Sequence, residues 1–408
     1  MINRIKQYDW KKYNISLLCV VIVLCLIGAF SVKLAGGEES GMSLMKGQLV
    51  GMILGLFVVA IVSVIDYHFI CQFTILYYIV GVLLTIATHT PLGTDNKTGV
   101  DRWIKLGPIS FQPTELMKII LIITLATIYS RLRNKVDKVS TLLIVGFTTL
   151  IPVLCILTQP DLSSSIVAIF IMVIIIFAAG TAYKILVPII SIGIPLSLVL
   201  FWYIQQPNNL ILRGYQYRRI QAWLHPENDP LDLNMQQNNA IRAIASGKLY
   251  GKFMQDGGAG SEGRAYTSVG VNESDFIWSV VGEEFGFLGC CLILLLMAIV
   301  IFKCFNIARK SQDYLGKLIA VGVAAMFMFQ TFANICVATR IFPNTGLPLP
   351  FISNGLSSMV SSMIGIGLVM NVGIQPAKSS KAGFTMRNMS GDEPDSEVEV
   401  DLDLGRGE

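Results

Sequence analysis

Hydrophobic and polar positions along this chain come in blocks rather than alternating residue by residue. Runs of ~18 residues or more with almost no charge are long enough to cross hydrocarbon as a helix. Apolar runs recur near 15–34, 49–65, 69–87, 114–131, 142–157, 164–179, 185–204, 276–302, 315–337 and 358–372, six of them 18 residues or longer. Only helices and closed barrels satisfy their own backbone in lipid, so the pattern predicts an all-α polytopic membrane protein of about ten transmembrane helices. Two polar interruptions stand out: a glycine-rich charged loop at 91–113 and a long loop at about 205–275. After Lys381 the chain turns polar, and from Asp392 onward it holds eight acidic residues against one Arg. Such a segment buries too little apolar surface to fold. The expected organisation is a membrane domain over 1–375 and a disordered acidic cytoplasmic tail over 376–408.

Composition agrees with the pattern. The 408 residues are 53% hydrophobic and 14% charged, with a mean hydropathy of +0.62. A soluble domain would carry roughly 25% charged residues. The net charge of +4 matters less than where the charges fall. With the N-terminus inside, the cytoplasmic loops receive Arg131, Arg133, Lys135, Lys138, Lys184, Lys303, Arg309, Lys310 and Lys317. The positive-inside rule therefore predicts both termini in the cytoplasm and the long loop outside. Over 205–274 that loop holds seven Lys/Arg and six Asp/Glu, a mixed face rather than a basic patch, and no nucleic-acid partner is expected. All eight cysteines lie in or at the ends of apolar runs, which indicates no disulfide framework. His68, His89 and His225 show no metal-ligand spacing. The first apolar run is too long for a cleavable signal, and no small-residue cleavage site follows it.

Candidate chemistry gathers where carboxylates meet apolar runs. Glu115 and Lys118 open the fourth run three residues apart on one helical face; they form an ion pair that tolerates burial, line a cavity, or do both. Asp161 follows Gln159-Pro160 and reads equally as a helix cap or a functional acid. Asp275 stands at the junction of the long loop and the eighth run, as a helix start or as an acid/base. With Ser279 and Glu283 it falls at i, i+4 and i+8, so one continuous helix would put Glu283 ~12 Å deeper. Glu283 would then need a partner in the bundle, with Lys118 as a candidate. The stretch NTGLPLPFISNGLSS around Gly346 breaks the helical pattern, as a surface turn or as irregular backbone lining a wet cavity. Arg213, Arg218 and Arg219 in the long loop suit phosphate recognition or a solvated face.

In this order on a ten-helix chain, several stretches resemble the SEDS family (shape, elongation, division and sporulation), the RodA/FtsW polymerases of bacterial peptidoglycan. They are Arg102-Trp103-Ile104 through GPISFQPTELMK, QPDL at Gln159–Leu162, RRIQAWLHPENDPLD, SDFIWSVVGEEFGFLG and TGLPLPFISNGLSS with MIGIGLVMN. The resemblance covers about residues 10 to 375. It implies a glycosyltransferase of the bacterial cytoplasmic membrane that polymerises lipid II on the outer face. It also implies work beside a class B penicillin-binding protein, with cytoplasmic morphogenesis or division proteins as further partners. The family's essential acidic residue maps onto Asp275, as a base for the acceptor hydroxyl or as a ligand of a divalent cation, magnesium or manganese. Arg102, Lys118 and Arg218 become candidates for holding diphosphate. Trp103 is read as an interfacial anchor or a sugar platform, and Gln112, Glu115, Asp161, Glu283, Ser353 and Ser357 as substrate-cavity residues. The chain departs from the family pattern at Val271–Ser274, at Ser163-Ser164 and at Asn354 and Leu356. The short segment before the first helix favours the RodA-like, elongation type. The rival readings are a lipid-linked-precursor transporter and a non-catalytic scaffold for the penicillin-binding protein; against the first, no internal repeat is evident.

Overall fold

The computed structural model describes residues 7–91, 93–94, 102–106, 109–159, 161–206, 214–225, 234–255 and 264–376. All ten apolar runs are helical. They form α1 (Ile15–Ala35), α2 (Gly37–Val64), a short α3 (Tyr67–Gln72) leading into α4 (Thr74–Ala87), and then α5 (Pro113–Arg131). Next come α6 (Val139–Thr158), α7 (Leu162–Ala178) and α8 (Tyr183–Ile204). The long loop carries α9 (Gly214–Leu224), α10 (Met235–Ser246) and α11 (Lys252–Gln255), none of which its polar composition announces. Finally come α12 (Ile277–Lys310), α13 (Tyr314–Ala338) and α14 (Leu356–Ile374). Among the described residues, eight helices are long and apolar enough to cross a membrane, and α4 and α7 are shorter apolar helices. The loop after α4 forms a three-stranded antiparallel sheet of β1 (Gly93–Thr94), β2 (Trp103–Leu106) and β3 (Ile109–Phe111). The chain divides into units Met1–Gln375 and Pro376–Glu408; the expected acidic tail beyond Pro376 lies outside the described residues.

The centre of the bundle is α5, α13 and α14, buried over 83%, 78% and 83% of their most apolar stretches, against 6% for α8. The α2 stripe Gly51, Gly55, Val59 and Ser63 recurs every fourth residue and packs on α14. Small residues at such an interface let two backbones approach closely, which is how helices associate in lipid. The α5 start is helical because Pro113 fills the first turn, where a missing N–H costs nothing.

Helix α12 is the longest element, and at 1.5 Å per residue its 34 residues span ~51 Å, against ~30 Å of hydrocarbon. It is broken at Gly286, whose backbone takes φ 65°, ψ −165°. The loop segment Leu249–Gly251 lies so close that a Cβ on Gly286 would come within 2.3 Å of the Gly251 nitrogen. The amides released by the break find acceptors there: Phe287 N–H donates to the Lys248 carbonyl (2.9 Å) and Leu288 N–H to the Leu249 carbonyl (3.1 Å). Above the break nearly every residue is buried; below it Cys290, Ile293, Met297, Val300 and Cys304 form a single inward stripe.

The end of the bundle away from Asp275 is knitted by side chains. Tyr314 donates to the Ala179 carbonyl (2.7 Å), and the Arg133 guanidinium lies 5.1 Å from the Tyr314 ring centroid. His68 in α3 bridges Asp66 and Asp313, each at 2.8 Å. Those two carboxylates push its imidazole up to about 9, Asp313 foremost.

Candidate active site

Asp275 lies in a turn just ahead of α12, not on the helix. The residue at the cap position is Phe276, and it makes no side-chain cap bond. The turn is built on Val271, which takes φ 58° and whose carbonyl accepts from the amides of Ser274 (3.2 Å) and Phe276 (3.3 Å). A β-branched residue in the left-handed region is strained, and such strain persists only where surrounding contacts fix it.

The Asp275 carboxylate is partly buried and makes no side-chain hydrogen bond or ion pair among the described residues. Burial, opposed by the Arg102 and Arg219 guanidiniums and reinforced by Asp161 and Glu273, pushes its carboxyl up to about 6. The loop containing Gly346 closes over it. Gly346 has φ 70°, and a Cβ there would sit 2.8 Å from Asp275 Oδ2. The irregular stretch around Gly346 therefore packs directly on the acid.

The arginines arrive from two loops. Arg102 precedes β2 and its Nε donates to the Gln159 carbonyl (3.1 Å), next to Asp161. Arg219 on α9 donates from Nη1 to the Asn344 carbonyl (2.9 Å). Of the adjacent pair, Arg218 is exposed and Arg219 half-buried, so the sequence candidate Arg218 is not the one that meets Asp275. In α9 only the helical phase separates the two.

Asp161 caps α7, taking Ser164 N–H at 3.0 Å and Ser164 Oγ at 2.8 Å, while Ser163 Oγ reaches it at 3.3 Å. Capping and a place beside Asp275 are both realised. Ser163 also donates to the Thr345 carbonyl, joining α7 to the Gly346 loop. The serines that replace the family's usual pair are thus both in use.

The remaining candidates have structural partners. Lys118 Nζ lies 2.8 Å from Glu115 Oε1, both side chains buried, and Ser361 Oγ holds the Glu115 carbonyl at 2.6 Å. Ser357 Oγ accepts from the Gln112 N–H (3.0 Å), anchoring the start of α5 to α14. Ser353 Oγ donates to the Ser274 carbonyl (2.6 Å) and accepts from Leu349 N–H (2.8 Å). Trp103 pairs with Thr94 across the β1–β2 ladder, and its side chain is half-buried.

Glu283 corrects the reading of one continuous face. Asp275 is off the helix, and the partner of Glu283 is Lys252 of α11, not Lys118. Glu283 also accepts from Ser246 Oγ (3.0 Å) and from the amides of Ala265 (2.9 Å) and Tyr266 (2.8 Å). Its neighbour Glu284 takes Arg264 Nε at 2.9 Å. The two carboxylates staple the long loop to the upper part of α12. No spacing signal in the sequence shows this, because both partners lie 20–31 residues away in the loop.

Among the described residues, no three His, Cys, Asp or Glu side chains converge as a metal site. The carboxylates whose charge reaches Asp275 are Asp161 and Glu273, and Asp161 already accepts from the Ser164 amide and hydroxyl.

Comparison with known proteins decides the family. The profile of the family described as "Cell cycle protein", which takes in FtsW, RodA and SpoVE, matches residues 11–378. The chain belongs to that family. It is 30% identical to the probable peptidoglycan glycosyltransferase FtsW of Trichlorobacter lovleyi, over 90% of this chain and 94% of the relative. It is 29% identical to the stage V sporulation protein E of Bacillus subtilis (89% and 98%) and 26% identical to the peptidoglycan glycosyltransferase MrdB of Escherichia coli (91% and 96%). A solved chain from work on polymerization and crosslinking by a peptidoglycan synthase complex superposes with a TM-score of 0.71 at 27% identity, covering 90% of this chain and 97% of that one. The rod shape determining protein RodA of Thermus thermophilus, solved as a point mutant, gives 0.64 at 25%, again over 90% and 97%.

Proposed function

We propose that this member of the FtsW/RodA/SpoVE family is a peptidoglycan glycosyltransferase that polymerises lipid II at the outer face of the bacterial cytoplasmic membrane. The observation that carries the reading is Asp275: a part-buried carboxylate raised to about 6, with no side-chain hydrogen bond among the described residues, under the charge of the Arg102 and Arg219 guanidiniums. A base works best when its pKa lies near the operating pH. As the acceptor sugar's hydroxyl oxygen attacks the donor's anomeric carbon, Asp275 takes the hydroxyl proton. The bond to the diphosphate breaks and the diphosphate leaves with the electron pair. Arg102 and Arg219 face the charge that develops on it, in a site where burial strengthens such interactions. A magnesium or manganese ion bound to Asp275 would add charge neutralisation to the diphosphate.

The positive-inside rule supports reading the Arg133–Tyr314 end as cytoplasmic and Asp275 as outside, with both termini inside and ten passes. The substrate's prenyl chain stays in the bilayer while its sugars reach the turn above α12. A class B penicillin-binding protein is the partner we infer, because the solved relative comes from a complex that couples polymerization to crosslinking.

The test is strand synthesis from lipid II by the purified chain with its cross-linking partner. Wild type should give glycan strands and Asp275→Asn none, with complex formation intact in both. Full activity in Asp275→Asn would remove the base. Passage of lipid II across liposomes without strands would replace the enzyme by a transporter.

A further inference from the structure

Three successive main-chain carbonyls, those of Glu273, Ser274 and Asp275, are each taken by a different donor from the far end of the chain. The Asn354 N–H donates to the Glu273 carbonyl at 2.8 Å. Ser353 Oγ donates to the Ser274 carbonyl at 2.6 Å. Asn334 Nδ2 donates to the Asp275 carbonyl at 2.9 Å, and its second N–H reaches the Leu347 carbonyl at 2.6 Å. Asn334 and Ser353 are both buried. Leu349 N–H in turn donates to Ser353 Oγ, which fixes the direction of that hydroxyl.

The donors are chemically suited to the task. A primary amide is the only uncharged side-chain group with two N–H bonds on one nitrogen, and Asn334 spends both on carbonyls from two segments. Those segments are the Asp275 turn and the loop whose Gly346 lies against Asp275 Oδ2. One side chain thus sets the spacing between the acid and the wall above it. Buried donors of this kind are costly to remove, because the carbonyls they leave lose their partners.

We propose that Asn334 and Ser353 are positioning residues, which with the Asn354 amide grip the backbone of Glu273, Ser274 and Asp275 and aim the Asp275 carboxylate between Arg102, Arg219 and the Gly346 loop. The role rests on Asp275 being the reacting carboxylate. Neither side chain touches substrate; each acts through the turn. With no side-chain hydrogen bond to Asp275 among the described residues, the strained main chain of its turn is what these donors hold in place.

The experiment uses the full chain with its cross-linking partner, lipid II as substrate, and the variants Ser353→Ala, Ser353→Thr, Asn334→Ala and Asp275→Asn. Rates are measured against pH and lipid II concentration, and hydrogen exchange is followed in the peptide spanning 270–280. A misplacement of about an ångström costs on the order of 100-fold. Ser353→Ala and Asn334→Ala should therefore lower kcat by roughly 30- to 100-fold with KM within about twofold. The acid limb of the rate profile should move towards lower pH as water reaches the carboxylate, and exchange in the peptide should quicken. Ser353→Thr keeps the hydroxyl and should recover at least half of the wild-type rate. Ser353→Ala at the wild-type rate would overturn the proposal. So would equal losses in Ser353→Ala and Ser353→Thr with an unmoved acid limb and unchanged exchange. If Asn334→Ala fails to fold, the Ser353 pair decides alone. If Asp275→Asn polymerises normally, the reading of Asp275 falls, and the exchange data still decide whether the grip exists. If only Asp275→Asn is inactive, the grip falls and the base stands.

Discussion

At the scale of single residues, the behaviour of Asp275 follows from its surroundings. The proposed base must be ionised to work, and burial pushes the Asp275 carboxyl up to about 6. Strand synthesis should therefore be level near neutral pH and fall as pH drops through about 6. General-base contributions are typically 10²–10⁴-fold, so Asp275→Asn should lose at least about 100-fold near neutral pH, with no acid limb left to measure. A wild-type rate that is flat down to pH 4.5 would contradict this. Gly346 allows a second prediction. Alanine there would bring a Cβ to 2.8 Å from Asp275 Oδ2 at a backbone angle of φ 70°. The left-handed backbone alone costs about 1–2 kcal/mol, and the clash must be relieved by moving the carboxylate. Gly346→Ala should thus lose activity beyond what its lower melting temperature explains, whereas alanine at Gly180 (φ 81°), where no atom lies within 4 Å of a Cβ, should cost stability alone.

At the scale of elements, α12 shows what could be read in advance and what could not. Its apolar run was legible, as were the other nine, because hydrocarbon demands long uncharged stretches whatever the packing. The start of α2 was not: Glu38, Glu39 and Lys46 hide its first turns. The helices of the long loop were invisible because they are short and mostly polar. The motifs mark Asp275, Arg102 and Asp161 as candidates, and the structure brings the three within electrostatic reach of one another. Arg219 is not separable from Arg218 by sequence, and Asn334, inside an apolar run, carries no motif that marks it. The partner of Glu283 was misassigned because i, i+8 spacing assumes one helix through 275–283, and the helix begins only at Ile277. The staple that replaced that picture is testable. Glu283→Ala would leave Lys252 Nζ and two loop amides without their acceptor. Removing one member of a buried pair costs roughly 3–5 kcal/mol; the part-exposure of Lys252 puts the expected loss near ~3 kcal/mol. The measurement is the melting temperature of the purified chain, with protease cleavage in the long loop as the local readout. An unchanged melt with unchanged cleavage would show that the loop is held by its backbone contacts at the Gly286 break instead.

At the scale of the whole molecule, the two ends of the bundle are built for different work. The Asp275 end is assembled from loops and turns that meet over α12 and α14, and among the described residues its side-chain donors go to carbonyls and not to the Asp275 carboxylate. The opposite end is closed by side chains that leave little uncommitted. Asp66, on the α2–α3 turn, takes Gln375 Nε2 at 3.3 Å as well as His68. Asp313, on the α12–α13 turn, takes His68, the Tyr67 hydroxyl and the Gly316 amide. Asn371 of α14 joins the same junction through the Tyr67 amide (3.0 Å) and the Ser63 carbonyl (2.6 Å). A protonated imidazole between two carboxylates therefore ties three parts of the chain together. Its pKa of about 9 in the folded protein lies above the ~6.5 of an unfolded chain. The fold thus binds this proton more tightly than the unfolded state does, and the added stability is complete below about pH 6.5 and lost as pH rises through 9. The melting temperature of wild type should decline between pH 7 and 10, while His68→Gln should start lower at pH 6 and decline less over the same range. Parallel declines in the two proteins would place the alkaline sensitivity elsewhere. With Asp275 at the other end as the proposed base, the acid limb of strand synthesis should be the same in His68→Gln as in wild type, which separates the titration that holds the bundle together from that of Asp275.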